Sequence, residues 1–229
     1  MRSLFLAGCL VLALPGLAAC GFYAAQAWTA WRAAQAAALG AQAAGAVMRA
    51  APLVMVERGR LQEAAFGADR DAGEAWVRAA AASDAALDRA GRALRAAGLS
   101  TAAVERVREG RTAIQSRAEL VASKRSALRS AIEQYNRIVE GLEEEVSGIE
   151  RGVTLANQSV GLAVGLARNA AELRSIAGRR GVLLNAWLGG QDLQPSQRDE
   201  LLALNGRLAG AWERLQRGVR GSGFGSDLA

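Results

Sequence analysis

An all-α fold is what this chain predicts: an elongated antiparallel bundle of long, coiled-coil-like helices behind an N-terminal membrane helix. Three observations carry that expectation. Only three prolines interrupt 229 residues of which 51% are hydrophobic, with alanine dominant, a helix-forming composition. Leu128, Ile132, Tyr135, Val139, Leu142, Val146, Ile149 and Val153 recur in steps of four and three, an a/d seam held for more than three heptads. An uncharged apolar run, Ser3 to Ala25, opens the chain. Aromatics are scarce at 5%, which argues against a large β-sandwich core.

The opening run is long enough to cross a bilayer as a helix, at ~1.5 Å per residue over roughly 30 Å of hydrocarbon. Phe22, Tyr23, Trp28 and Trp31 follow at its far end, where amphipathic rings favour the headgroup zone. Residues 1–31 therefore read as a membrane-directed segment and its interface. Arg2 is the only charge before the run and stays inside by the positive-inside tendency. Three fates fit the run. A retained signal-anchor helix is the reading preferred. Leu17-Ala18-Ala19-Cys20 also has the form of a lipobox, which would leave a lipidated Cys20 at the N-terminus. Ordinary cleavage and release is the third. Pro15 mildly disfavours an unbroken helix without excluding one. All three place residues 32 to 229 beyond the inner membrane, in the periplasm.

Residues 32–217 then read as the helical bundle. The Ala-rich stretch after the anchor continues the first helix, and Pro52 is expected to kink or interrupt it near Ala51. A second part, Leu53 to Phe66, ends at Gly67. Asp69 or Asp71 caps a helix to about Ala97, with Trp76, Ala80, Leu87 and Leu94 on one face. Gly98 is its stop. Ser100 or Thr101 caps the next, with Glu105 near the capping-box position. Val107, Ile114 and Val121 keep one heptad position, while Arg111, Lys124 and Arg125 interrupt the other, so a register break is placed near Ser123 to Ser126. One long helix is expected to run on to about Leu188, loosened at Gly148 and Gly152, and to end at Gly189-Gly190. Pro195 opens the last helix, with Leu201, Leu204, Leu208, Trp212 and Leu215 as its buried stripe. Residues 218–229, Gly/Ser-rich, read as a disordered tail.

Composition also excludes chemistry. Both cysteines, Cys9 and Cys20, lie in the opening run, so the exported part has no thiol and no disulfide framework. There is no histidine, which removes the commonest general base and metal ligand. No phosphate-cradling Gly-rich loop with a lysine is present, and no nucleophile–histidine pair is possible. The chain is not read as an enzyme, and no cofactor or metal is expected. The net charge of +6 is carried almost wholly by arginine, Lys124 being the one lysine. Such a balance suits nucleic acid, an anionic membrane surface or small anions; export removes nucleic acid from that set. Glu143-Glu144-Glu145 reads as a solvated carboxylate face. Tyr135 reads as a core tyrosine with its hydroxyl at the edge, and Trp187 and Trp212 as core anchors.

Two arginine-bearing stretches stand out: Val56-Glu57-Arg58-Gly59, and Ala177-Gly178-Arg179-Arg180-Gly181 inside an apolar helix. A guanidinium is a fixed fork of donors suited to small planar anions and carboxylates, and flanking glycines leave room for a ligand or another backbone. The bland alternative makes these arginines surface side chains or internal ion pairs with Glu57 or Glu172.

The order of pieces resembles the extracytoplasmic sensory regions of bacterial transmembrane receptors that feed chemotaxis or diguanylate cyclase output. The ERG element at Glu57-Arg58-Gly59 and the later LRSIAGRRGVLLNAWL are similar to elements of the nitrate- and nitrite-sensing helical sensors, and NGRLAGAWERL to the helix that follows in such receptors. The resemblance covers roughly residues 1 to 217 and its motifs are short. It implies a ligand-binding role for Arg58, Arg179 and Arg180 towards a small anion. In the sensors the second motif reads glycine, any residue, Glu, Arg; here Gly181 stands where that arginine would fall. It also implies signal transduction, a possible homodimer, a second membrane helix and an output domain. Neither of the last two is read within these 229 residues. The competing class is a helical lipoprotein with a structural, protein-interaction role.

Overall fold

The structure, a computed structural model, describes residues 2–66, 71–117, 125–188 and 192–222. Among them there are six helices and no strand. They are α1 (Arg2–Phe66), α2 (Ala72–Ala96), α3 (Ala102–Gln115), α4 (Arg125–Ala156), α5 (Gln158–Leu188) and α6 (Pro195–Gly221). The all-α expectation holds.

The directions alternate. Gly40 and Glu57 of α1 meet Val153 and Tyr135 of α4, so these two helices run antiparallel. Asp84 on α2 pairs with Arg111 on α3, and Gly91 lies against Val104, another antiparallel pair. Glu150–Arg168 and Glu140–Arg179 set α5 antiparallel to α4; Glu172–Arg214 and Arg180–Asn205 set α6 antiparallel to α5.

The seam on α4 is the spine of the core. Seven of its eight residues are buried, Ile132 partly so. They pack against Ala43, Val47, Ala50, Val54 and Leu61 of α1 and against Val107 and Ile114 of α3, and Leu87 and Leu94 of α2 belong to the same core on the far side of α1 and α3. Alanine on α1 lets the facing backbones approach closely, and a Cβ on Gly40 would strike the Val153 side chain at 2.5 Å. A smaller cluster, Ile176, Leu204 and Ala211 with Leu173, Leu183 and Leu208, joins α5 to α6.

Local signals account for several ends. Gly98 takes φ +68°, and the N–H groups of Gly98 and Leu99 reach back to Arg95 and Leu94, a Schellman stop for α2. The Ser100 hydroxyl accepts from Ala102 N–H at 3.2 Å at the start of α3. Asp71 occupies the N-cap position of α2, while Asp69 and Gly67 lie outside the described residues. Pro195 opens α6, where Gln197 Oε1 accepts the Gln194 N–H at 2.9 Å.

Four expectations are corrected. α1 is continuous through Pro52, because Ala50 and Val54 on either side are locked into the core while the proline lies on a cavity wall. The long helix does not run from the seam to Leu188: it breaks at Asn157, not at Gly148 or Gly152, and α5 turns back from there. Trp187 and Trp212 are not core anchors; both are exposed, and on α6 Ala211 takes the buried place beside Leu204. The last helix continues to Gly221, past the expected start of the tail at 218. The register break placed near Ser123 lies largely outside the described residues, as do Gly189-Gly190 and residues 223–229.

Among the described residues one helix, α1, is long and apolar enough over Gly16–Ala65 to cross a membrane by length and composition. Its most apolar stretch is 39% buried inside the bundle. From Gly16 to Arg32 every described side chain is exposed, including Cys20. There Trp28 stacks on Trp31 at 5.0 Å with Arg32 over the Trp28 ring.

Candidate functional site

α1 and α5 bring Arg58 and Arg179 into one neighbourhood; Arg180 is left outside it. Arg58 is 7% exposed, and its Nη1 donates to Asn136 Oδ1 on α4 at 2.5 Å. Arg179 Nη1 lies 3.6 Å from Glu140 Oε1, also on α4. In both residues the Nε is shut away from solvent with no acceptor. A buried donor left in that state costs about 1–3 kcal/mol. Burial first, and then the positive charge of Arg179, hold the Arg58 pKa below its ordinary value, with Glu200 on α6 working the other way. Two desolvated guanidiniums that repel each other, each with a spare donor, form an environment that an anion improves.

Arg180 points elsewhere. Its Nε donates to Asn205 Oδ1 at 2.6 Å and ties α5 to α6. The flanking glycines are not close-approach sites either: a Cβ added at Gly59, Gly178 or Gly181 would meet nothing within 4 Å.

Between α1, α4 and α5 lies a cavity of ≈ 590 Å³, within the usual size of ligand pockets. Val56 and Gly178 line it, and Arg58 and Arg179 follow each of them in sequence by two residues and one. Met48, Met55 and Val139 supply apolar wall; Glu143 and Ser175 supply polar groups. Glu143 corrects the reading of its run as a solvated face, since it is half-buried on this wall while Glu144 is exposed. Burial raises the Glu143 pKa most; Arg179 and a hydrogen bond with Ser175 pull it down, and Glu172 and Glu140 push it up.

A second polar cluster is closed and lies deeper. Glu57, beside Arg58 in sequence and reaching Tyr135 where Arg58 reaches Asn136, is fully buried. Its Oε2 accepts from Arg111 Nε at 2.7 Å, and its Oε1 from the Tyr135 hydroxyl at 2.8 Å and Gln115 Nε2 at 3.0 Å. Arg111 also donates to Asp84 and to the Ala80 carbonyl. Burial lowers the Arg111 pKa, but its hydrogen bonds and the charges of Glu57 and Asp84 outweigh it and the net direction is upward. Tyr135 is pushed above its ordinary value by burial and by the Glu57 charge. The cluster joins α1, α2, α3 and α4, with donors matched to acceptors around Glu57, so it is built to fix the bundle.

Sequence reasoning placed Arg111 among the interruptions of the seam and missed this cluster. The available signal was its spacing: Arg111 stands four residues after Val107 and three before Ile114, which puts it on the buried face. Among the described residues no group of three or more His, Cys, Asp or Glu is arranged to hold a metal ion.

Comparison of the chain with protein-family models, with curated proteins and with solved structures finds no match.

Proposed function

We propose that this chain is a membrane-anchored sensory domain of a bacterial signal-transduction receptor, facing the periplasm and binding a small anion between helices. The observation that supports it most is the Arg58–Arg179 pair. Two guanidiniums from helices more than a hundred residues apart in sequence stand close enough to repel, each with a buried N–H that has no acceptor. Both arise in the two stretches singled out by their resemblance to nitrate- and nitrite-sensing elements. An anion between them would draw α5 towards α1, and a signal follows if the anion binds the two packings with different affinity. The exposed helix from Gly16 to Arg32 would carry that change towards the bilayer.

The test is thermal unfolding of the full chain in detergent micelles with nitrate, nitrite and short carboxylates. Saturation at about 100 times the dissociation constant adds about 2.7 kcal/mol. No stabilisation by any of them would remove the anion.

A second reading, a lipoprotein with a structural or protein-interaction role, is favoured by one observation: Cys20 is free and exposed on the unpartnered part of α1. Intact mass after membrane extraction separates the two, since a lipoprotein begins at an acylated Cys20 and a signal-anchored sensor retains Met1.

A further inference from the structure

The end of the bundle from which the exposed part of α1 emerges carries charge of one sign. Gly40 lies against Val153, so the α4–α5 turn at Asn157 stands at this end. Gly218 lies against Leu166, which brings the end of α6 to the same level. Arg111 joins Glu57 of α1 to Asp84 of α2. From that level it is about as far back along α1 to Gly40 as on along α2 to Ala97, so the α2–α3 turn lies here too.

Four stretches build this end: residues 32–45, 91–104, 151–165 and 215–222. They contain six arginines, Arg32, Arg92, Arg95, Arg151, Arg217 and Arg220, and no aspartate or glutamate. All six are exposed, and among the described residues none has an ion-pair partner. The opposite end mixes both signs, with Arg60 on Glu63 and Arg78 on Glu74. Like charges gathered without counter-charges repel one another and gain from an anionic surface. Beside the α4–α5 turn Leu155 is 90% exposed, an apolar side chain at the tip of the same end.

The course of α1 says which surface they meet. Trp28 and Trp31 suit the headgroup zone of a bilayer. Ala37, the first buried side chain of α1 among the described residues, follows Arg32 by five positions. Five residues of helix rise about 7.5 Å. Charges in physiological salt act over about 8 Å. The arginines of this end therefore stand within electrostatic reach of phosphates at the level of the tryptophans.

We propose that this end of the bundle rests on anionic phospholipid headgroups, which the six arginines engage while Leu155 meets the boundary below them. This rests on α1 crossing the bilayer and adds the class of lipid that the bundle meets.

The test is hydrogen–deuterium exchange of the full chain in lipid nanodiscs. One set is pure phosphatidylcholine, and the other contains roughly one-third phosphatidylglycerol to set up a negative surface. The turns at Ala97–Thr101 and Ala156–Val160 exchange more slowly in the anionic discs alone. The protection disappears in about 1 M salt, where charges act over only about 3 Å. Each arginine near such a surface is worth about a fivefold factor in association. Arg217→Gln with Arg220→Gln therefore weakens the docking about thirtyfold and most of the protection goes. Arg117→Gln with Arg137→Gln, two exposed arginines nearer the opposite end, changes the net charge equally and keeps the protection. Equal loss in both double variants overturns the proposal in favour of a general charge effect. Equal exchange in the two kinds of disc, with Gly16–Arg32 still protected, overturns it and leaves the anchor standing. Protection in neutral discs that salt does not remove overturns it in favour of apolar contact through Leu155. Equal or greater protection by oligoglutamate added to neutral discs overturns it in favour of an acidic protein partner. Free exchange along Gly16–Arg32 removes the anchor and this proposal together.

Discussion

Glu57 on α1 and Arg111 on α3 meet at 2.7 Å with both side chains closed off from water. Each is held by further partners, Glu57 by Tyr135 and Gln115, Arg111 by Asp84 and the Ala80 carbonyl. Removing one member of a buried pair leaves the other as an uncompensated charge, which costs about 3–5 kcal/mol. Glu57→Gln should therefore lower stability by that amount in denaturant titration. Tyr135→Phe removes one hydrogen bond to a charged acceptor, worth about 1.5–3 kcal/mol. A double-mutant cycle between the two positions should show coupling; additive effects would mean that the four helices are not joined through Glu57.

The arginine pair makes a separate prediction, read in ligand response rather than stability. Arg179→Gln relieves the repulsion on Arg58 and gives up a part-exposed ion pair with Glu140, so the stability of the free protein should change little, while stabilisation by anions disappears. Arg180→Gln breaks the bond to Asn205 and should leave the anion response intact. Equal loss of response in both variants, measured by thermal unfolding with and without the anion, would place the site elsewhere.

Where residue spacing and burial agree, the fold was legible in the sequence. The α4 seam, the Gly98 stop and the Pro195 start each depend on residues within a turn or two of one another. The arginine pair was legible only as two suspicious stretches, since nothing local says that α5 returns alongside α1. Arg111 was misread because charge outweighed position: its partner Glu57 lies 54 residues away, and only the assembled bundle shows the carboxylate waiting there. The break at Asn157 was missed because glycines drew attention away from an asparagine that caps.

That break is testable. Asn157 Oδ1 accepts the Val160 N–H at 3.1 Å and so caps α5. Asn157→Ala should cost about 1 kcal/mol, within the range of lost caps. Gly161 is stricter. α5 doubles back so tightly that a Cβ there would stand 2.5 Å from Thr154 Cα, a backbone atom that cannot swing aside. Gly161→Ala should cost about 1–3 kcal/mol, as overpacking does. Denaturant titration of the two variants checks both, and a Gly161→Ala protein of unchanged stability would rule out the tight return of α5 along α4.

Glu143 gives the pH dependence. Burial raises its carboxyl pKa above the ordinary value, against the opposing pull of Arg179 and Ser175. The folded protein therefore keeps this proton to higher pH than the unfolded chain does. Stability from this group is full below the unfolded pKa and is lost as pH rises through the folded one. The difference in melting temperature between the wild type and Glu143→Gln isolates the effect from the other carboxylates. Relative to that variant, the wild type should lose stability as pH climbs out of the carboxylate range towards neutral. A flat difference across that range would show Glu143 to be solvated, and a wild type that gains stability with pH would show that a cation of the protein already neutralises it.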